Sequence, residues 1–212
     1  RWQEDDIAKQ HLEREIDVLF GGGRRHFDQN ERDDNHDLFG SFEKNGYQVL
    51  REKADMLNIN KQKKLLGLFS DSHFPYMVDY NHSKEIQATT PTLSEMTESA
   101  LDHLAQNDDG FILQIEGGRV DHGAHGNDAA GIIYDQIAFD DAIKTVMDYT
   151  EGRDDTLVIV TTDHGNANPG LNGLGENYSD SPKMLETIHD YQHSFEWMYE
   201  QFDKNNDNKN PS

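Results

Sequence analysis

The chain has 212 residues, no cysteine and a formal net charge of −22 at pH 7. Its length allows one large domain with a sizeable core, and its negative charge disfavours nucleic-acid binding through a basic surface. Because thiols are missing, there are no disulfides, cysteine nucleophiles or zinc thiolates, and a metal site has to use Asp, Glu and His side chains.

Apolar periodicity and turn residues predict alternating helices and strands through the first half of the chain. Helices are predicted over residues 3–13, 38–45, 52–56 and 92–106, and strands over residues 16–20, 47–51 and 64–69. The segment GGGRRHF at 21–27 predicts a tight turn, and residues 28–37 a charged loop. Residues 81–90 are polar and are expected to be irregular.

The second half of the chain contains its most apolar runs. FILQI at 111–115 and TLVIVT at 156–161 each predict a strand that is covered on both faces of a sheet. A long helix is expected over residues 122–149 and a loop over residues 165–180. A last helix is expected from Ser181 to about Phe202, with serine as its N-cap.

This alternation indicates an α/β fold with a largely parallel sheet and helices on both faces. We expect a partial core over residues 1–170, followed by a loop, a helix and a polar tail over residues 171–212 that begin an insert region. Sheets of this class bind ligands at the carboxyl ends of their strands. Glu116 and Asp163 follow the two most apolar strands and are therefore candidate site residues.

Asp121 and His125 lie four residues apart at the start of the long predicted helix. This spacing places both side chains on one helix face, about one turn apart. A carboxylate oxygen and an imidazole nitrogen in this arrangement can bind one zinc ion. An acid–histidine pair at this spacing also stabilises a helix, so the structural explanation stays open.

Asp163 and His164 are adjacent and come directly after the second apolar run. Neighbours on a regular strand point to opposite faces, so both reach one metal only where the chain turns, which Gly165 permits. Glu116 is a harder oxygen ligand that suits magnesium. Clusters of this kind at two strand ends predict a two-metal site, which can activate a nucleophile and hold a leaving oxygen in phosphoryl transfer.

Several nearby residues have simpler structural explanations. His122, taken alone, is expected to be a solvent-facing residue at the helix start, and Arg119 to form a salt bridge with a neighbouring acid. Asp140 lies on the apolar stripe of its helix, where an N-cap or a buried hydrogen bond explains it better than catalysis does.

Five segments resemble the alkaline phosphatase family and occur in the family's order. They are IDVLFGGGRRHF, KLLGLFSDSHFPY, PTLSEMTESAL, IEGGRVDHGAHGNDA and TLVIVTTDHGN. The resemblance extends from residue 3 to residue 170, and its last two motifs are highly specific. It implies an alkaline-phosphatase-like α/β fold and a phosphomonoesterase that holds two zinc ions and one magnesium ion per complete subunit.

The resemblance also implies roles for individual residues by motif position. The implied metal ligands are Glu116 for magnesium, Asp121 and His125 for the first zinc, and Asp163 and His164 for the second zinc. His122 matches a position that varies among family members and often contacts phosphate through water or metal.

The chain departs from the family pattern at several positions. The serine nucleophile, which lies in an Asp-Ser-Ala type motif, has no counterpart, and the same is true of the bridging Asp, the magnesium-binding Thr, the phosphate-binding Arg and the third zinc-binding His. Asp71-Ser72 resembles a non-catalytic loop, and Asp180-Ser181 is explained by helix capping. We therefore expect a central to C-terminal part of an alkaline phosphatase that is inactive alone.

His189 and His193 are four residues apart on the last predicted helix. They are not expected to replace the missing zinc ligand, because this segment resembles an insert found in some bacterial members of the family.

Phosphate monoesters are the substrates that the resemblance implies, with transfer to a serine outside this chain. A related sulfatase, phosphodiesterase or cofactor-independent phosphoglycerate mutase is one alternative, since these enzymes share the Asp-His pair after a strand. A non-catalytic module that keeps the fold is another. The resemblance further implies a homodimer that is periplasmic or secreted, and the apolar runs are too short to span a membrane.

Overall fold

The computed structural model describes residues 3–166 and 175–207. The helices in these ranges are α1 (Glu4–Glu13), α2 (Leu38–Lys44), α3 (Met77–His82), α4 (Lys84–Thr89), α5 (Leu93–Leu104), α6 (Arg119–His125), α7 (Ala129–Thr150), α8 (Ser181–Glu186) and α9 (Phe195–Asp207). The strands are β1 (Val18–Gly21), β2 (Gln48–Leu50) and β3 (Leu65–Leu68), and short 3-10 turns cover Arg24–His26, Lys53–Asn58, Gly175–Asp180 and Thr187–Asp190.

The chain divides into two compact units. One comprises residues 1–74 and 85–115, and the other residues 75–84 and 116–212. The boundary predicted at residue 170 lies outside the described residues and stays a prediction.

The first unit contains a parallel sheet in the order β1-β3-β2. Leu65 on the central strand is aligned with Val18 on β1 and with Gln48 on β2. All four residues of β3 are buried, and its sequence LLGL has no polar position, as expected for a strand covered on both faces. The expected α/β class with parallel strands is thereby confirmed.

The core of the first unit forms where α2 packs beside the sheet. The Asp37 carboxylate caps α2 by accepting the Gly40 N–H at 2.9 Å. Leu38 and Phe42 on this helix are fully buried. The Phe42 and Tyr47 rings meet edge to face with centroids 4.7 Å apart, a geometry that aromatic pairs prefer.

The glycine turn after β1 is held by the loop that follows β3. Gly23 has a φ of 81° and donates its N–H to the Ser72 carbonyl at 2.7 Å. The next amide, that of Arg24, donates to the Ser70 carbonyl at 3.0 Å. Because these N–H groups are bonded to carbonyls, the turn does not offer them to a phosphate.

Residues 81–90 are largely helical, so the prediction of an irregular segment was wrong. The segment contains the end of α3 and all of α4. α3 buries Val78 and Tyr80, which precede the polar stretch and anchor it. Polar residues such as Glu85 and Gln87 are good helix formers, so the polarity of the stretch did not indicate a loop.

The two most apolar runs do not form strands, which contradicts the prediction for 111–115 and 156–161. Their side chains are also far from buried, since Ile112 is 98% exposed and Leu157 83% exposed. A strand requires a neighbour that accepts and donates its backbone hydrogen bonds. Neither run is paired with another strand among the described residues.

The predicted helix over residues 122–149 is two helices. α6 ends at His125, and α7 begins after Asp128, whose side chain accepts the Gly131 N–H at 2.9 Å. Asn127 between them has a φ of 52°, which no helix interior allows. Asp140 on α7 is exposed, so the buried or capping role predicted for it was wrong.

The last predicted helix, 181–202, is also interrupted. α8 ends at Glu186, and α9 begins after Ser194, whose hydroxyl accepts the Trp197 N–H at 3.0 Å. His189 lies in a 3-10 turn and His193 in the following loop, so the two do not share a helix face.

Candidate metal centre

The second unit brings four of the predicted ligands together. On α6, the Asp121 Oδ1 lies 3.7 Å from the His125 Nε2, as the spacing of four residues predicts. The same oxygen lies 3.9 Å from the His164 Nε2, and that nitrogen is 3.5 Å from the Asp163 Oδ2. The Asp121 carboxylate is thus the point where the two sequence motifs meet.

The carboxylate oxygens and imidazole nitrogens of these residues are donor types that zinc binds, and the distances between them are close to those around a zinc ion. Ligands at zinc distances from a tetrahedral ion are about 3.4 Å from one another. The Asp121–His125 and Asp163–His164 pairs, each proposed for one zinc, have separations of 3.7 and 3.5 Å, which are slightly wider. Among the described residues, no three Asp, Glu or His side chains already stand close enough to hold a metal. Each Asp–His pair could therefore supply two ligands of a zinc site, but not a complete ligand set.

Glu116 is exposed and does not join a group of three metal-binding side chains in the described parts of the chain. Its role as a magnesium ligand stays a prediction. The zinc roles of the other four residues and the phosphate contact of His122 also stay predictions, although the geometry brings the four together.

Glycines in the EGGRVDHG motif allow α6 to approach α7 closely. A Cβ on Gly117 would lie 2.9 Å from the Phe139 Cγ, and one on Gly123 would lie 3.0 Å from the Ile132 nitrogen. Real Cβ atoms essentially never come closer than 3.0 Å to another atom of this kind, so a side chain at either position would need its neighbour to shift. The glycines between the predicted ligands therefore set the position of the helix that carries Asp121.

Arg119 anchors the start of α6. Its guanidinium lies over the Tyr76 ring, 3.7 Å from the centroid, and its Nη2 donates to the Glu196 Oε1 at 2.8 Å. Arg119 forms a salt bridge, as predicted, but the prediction of a neighbouring acid was wrong, because its partner Glu196 lies 77 residues further along the chain. Burial raises the pKa of Tyr76 to about 12, although the Arg119 charge acts in the opposite direction.

Asn166 was not singled out from the sequence. Its amide nitrogen contacts the Asp121 Oδ1 and also donates to the Asp121 carbonyl at 3.2 Å. Asn166 lies two residues after His164, so it orients Asp121 from the second motif. The signal was present in the DHGN segment, where an amide follows the two predicted ligands.

Three buried carboxylates in the second unit were missed as well: Asp79, Asp128 and Asp135. Asp135 accepts the Met77 N–H at 3.0 Å, and burial raises its pKa to about 6, assisted by the charges of the other two. Only Asp128 had a local signal, as an N-cap before an apolar helix. The sequence around Asp79 and Asp135 gives no sign that these carboxylates are buried, because their burial results from tertiary packing.

Comparison with known proteins gives one consistent family. The family model described as alkaline phosphatase matches residues 2–210. Alkaline phosphatase 3 of Bacillus subtilis is 35% identical over 178 residues, which are 83% of this chain and 36% of that protein. The crystal structure of Thermus thermophilus alkaline phosphatase has a TM-score of 0.87 at 37% identity and is matched over 93% of this chain and 41% of that one.

A third relative is informative about metals. A mutant alkaline phosphatase from the Antarctic bacterium TAB5 has Mg bound in its M3 site, and it matches this chain with a TM-score of 0.63 at 28% identity. The match covers 76% of this chain and 44% of the TAB5 enzyme. The chain thus spans less than half of the length of each of these relatives.

Proposed function

Because this chain belongs to the alkaline phosphatase family, we propose that it forms part of an enzyme that hydrolyses phosphate monoesters. The observation that carries the proposal is the meeting of the two motifs at Asp121, whose carboxylate lies within 4 Å of imidazole nitrogens of His125 and His164. Helix stabilisation by an Asp–His pair explains the first contact but not the second, which joins segments distant in sequence.

The proposed metal ligands are Asp121 and His125 for one zinc, Asp163 and His164 for a second zinc, and Glu116 for magnesium. Bound metal ions would neutralise the carboxylates, attract the phosphate oxygens and stabilise the charge on a leaving oxygen. The Mg bound in the M3 site of the TAB5 mutant enzyme supports the proposal of a magnesium ion here.

The chain's own residues hold and expose these ligands. The side chains of His125 and His164 are 58% and 55% exposed, so both rings are accessible from solvent. His122 lies beside Asp121 and is proposed to contact the phosphate. We propose that the attacking serine comes from a part of the enzyme outside these residues, because no Asp-Ser-Ala type motif is present. By themselves, the 212 residues are then expected to hydrolyse nothing.

Hydrolysis of p-nitrophenyl phosphate by the full-length protein tests this proposal. We expect turnover that a chelator removes and that zinc with magnesium restores. The corresponding sulfate ester and bis(p-nitrophenyl) phosphate separate the alternatives, since a sulfatase or a phosphodiesterase would prefer one of them. No turnover of the monoester by protein that contains zinc would reject the proposal.

We further propose that the enzyme is a homodimer and is periplasmic or secreted, as the family resemblance implies. No helix in the described ranges is long and apolar enough to cross a bilayer. Cell fractionation and light scattering of the purified full-length protein test the two statements separately. Recovery in the cytosol, or a monomeric mass, would contradict them.

A further inference from the structure

Arg119 connects the candidate metal helix to a distant part of the chain. It is the first residue of α6 and is only 8% exposed. One guanidinium nitrogen, Nη2, donates to Glu196 on α9, and the other, Nη1, lies 3.1 Å from the Nδ1 of His122. The guanidinium therefore holds an acid from α9 and an imidazole from α6 at the same time.

The contact with Arg119 determines which nitrogen of His122 carries the proton. A guanidinium has five N–H donors and no acceptor. The Nδ1 of His122 must then accept, and the ring proton resides on Nε2. A hydrogen bond to one ring nitrogen commonly fixes the tautomer and the orientation of a functional histidine.

The Arg119 side chain has little freedom to move. The Tyr76 ring covers its face at 3.7 Å, and Arg groups stack favourably on aromatic rings. The Arg119 Nε is buried without a hydrogen-bond partner among the described residues. The buried guanidinium therefore depends on the bonds of its two Nη atoms to offset its loss of water. Glu196 is the acidic partner that compensates the buried charge.

The segment that carries Glu196 is itself anchored. The Phe195 N–H donates to the Asp128 Oδ2 at 2.7 Å, and the Ser194 N–H donates to the Asp79 Oδ1 at 2.9 Å. Both acceptors are buried carboxylates. Hydrogen bonds from two consecutive N–H groups thus fix the backbone just before Glu196, which limits where the Glu196 side chain can reach.

We propose that Arg119 and Glu196 are positioning residues that hold His122 as an Nε2–H donor for a phosphate oxygen. The inference rests on the proposed function, since it assigns the phosphate as the acceptor. Glu196 acts only through Arg119, and Arg119 only through His122. A loss at either position should therefore weaken phosphate binding more than it slows turnover.

The test uses the full-length protein with Arg119→Leu, Glu196→Ala and Glu196→Gln. Glu200→Gln is the matched control, because Glu200 lies one turn further along α9 in an exposed pair with Lys204. Two quantities are measured: the tautomer of His122, from its ring ¹⁵N shifts, and the inhibition constant of inorganic phosphate. Zinc content is recorded for each variant.

In the parent protein the His122 proton should be on Nε2. We expect Arg119→Leu to give a mixture of tautomers and to raise the inhibition constant of phosphate about tenfold, with kcat changed less than about twofold. Glu196→Ala should show a smaller effect in the same direction, and Glu196→Gln should restore part of it, since the amide oxygen still accepts from Arg119. Glu200→Gln should behave like the parent protein.

An unchanged His122 spectrum in both Arg119→Leu and Glu196→Ala would overturn the proposal. Equal effects of Glu200→Gln and Glu196→Gln would also overturn it, because they would indicate a general effect of α9. If Arg119→Leu does not fold, the two Glu196 variants still decide. The tautomer is read without turnover, so a parent protein that fails to hydrolyse phosphate esters rejects the proposed function and leaves the positioning result to be judged separately.

Discussion

Asp128 accepts the backbone N–H of Phe195 at 2.7 Å with one carboxylate oxygen, while its other oxygen accepts the N–H of Gly131 at 2.9 Å. A single side chain therefore caps α7 and fixes the start of α9. The carboxylate is almost fully buried, since Asp128 is 2% exposed. The N–H groups of Gly131 and Phe195 therefore both depend on this one carboxylate, because the buried site leaves little water to replace it as an acceptor.

The substitution Asp128→Asn should destabilise the protein. The amide keeps one oxygen acceptor but replaces the other by an NH₂ group, which cannot accept an N–H bond. One of the two backbone donors is then left unpaired, which should cost about 1–2 kcal/mol in the free energy of unfolding. Denaturation of the full-length protein measures the loss, and amide exchange at Phe195 should accelerate.

Asp140→Asn is the control for this substitution. Asp140 lies on the same helix and is exposed, so the change removes the same charge without removing a buried acceptor. If it destabilises the protein as much as Asp128→Asn does, the account of the cap is wrong.

Removal of a proposed metal ligand should abolish zinc-dependent hydrolysis. Partners that only orient ligands cost about 10–100-fold in affinity or activity when removed, so Asp163→Ala or His164→Ala should cost more than about 100-fold. Activity and bound zinc are measured together in the full-length protein. Asp154→Ala is the control, since Asp154 is an exposed acid in the loop before the same apolar run. Near-normal turnover in either ligand variant would remove that residue from the site.

Asn166→Ala tests whether the second motif orients the first. The Asn166 amide contacts both the side chain and the carbonyl of Asp121. Its loss should lower zinc affinity about 10–100-fold, as expected for a partner that orients a ligand. Chelator competition on the full-length protein gives the affinity. An unchanged affinity would mean that Asp121 is held by its own helix alone.

The sequence correctly predicted features that depend only on residues close together in the chain. Thr92 and Glu95 form a reciprocal cap at the start of α5, which was predicted from residue 92 onwards. The Asp121–His125 contact was predicted because a spacing of four residues fixes it on any helix. The apolar runs at 111–115 and 156–161 failed as strands, because strand formation depends on a pairing partner elsewhere in the chain.

Tertiary packing determines the remainder of the site. Nothing near Glu196 in sequence indicates that its carboxylate reaches Arg119, and nothing near Asp135 indicates burial. The Arg119–Glu196 contact forms where α9 meets α6, inside the EGGRVDHG motif, and the Met77–Asp135 contact forms where α3 meets α7. Charged residues at such positions look like ordinary surface acids until the fold is known.

Gly67→Ala should destabilise the sheet. Gly67 is in the centre of β3, and an added Cβ would lie 2.7 Å from the Phe20 Cδ1 and 2.6 Å from the Phe69 Cζ. Forcing a methyl group into this contact should cost about 1–3 kcal/mol. Thermal unfolding of the full-length protein measures the loss. Gly21→Ala in β1 is the control, because its Cβ would meet nothing within 4 Å and should change stability by less than about 1 kcal/mol.

Asp135→Asn should stabilise the protein in a manner that depends on pH. The pKa of Asp135 is raised from 3.8 to about 6, chiefly by burial, so the folded state binds this proton more tightly than the unfolded state does. Stability from this group is complete below pH 4 and is lost as the pH rises through about 6. The asparagine oxygen still accepts the Met77 N–H but carries no charge to desolvate.

The variant should therefore match the parent protein near pH 4 and exceed it above pH 6, by at most about 3 kcal/mol for a shift of about two pKa units. Urea unfolding of both full-length proteins between pH 4 and pH 8 gives the difference directly. Titrations shared by the two proteins cancel in this comparison. A difference that stays constant across the range, or that grows towards acid, would show that Asp135 is not the buried group whose ionisation opposes folding.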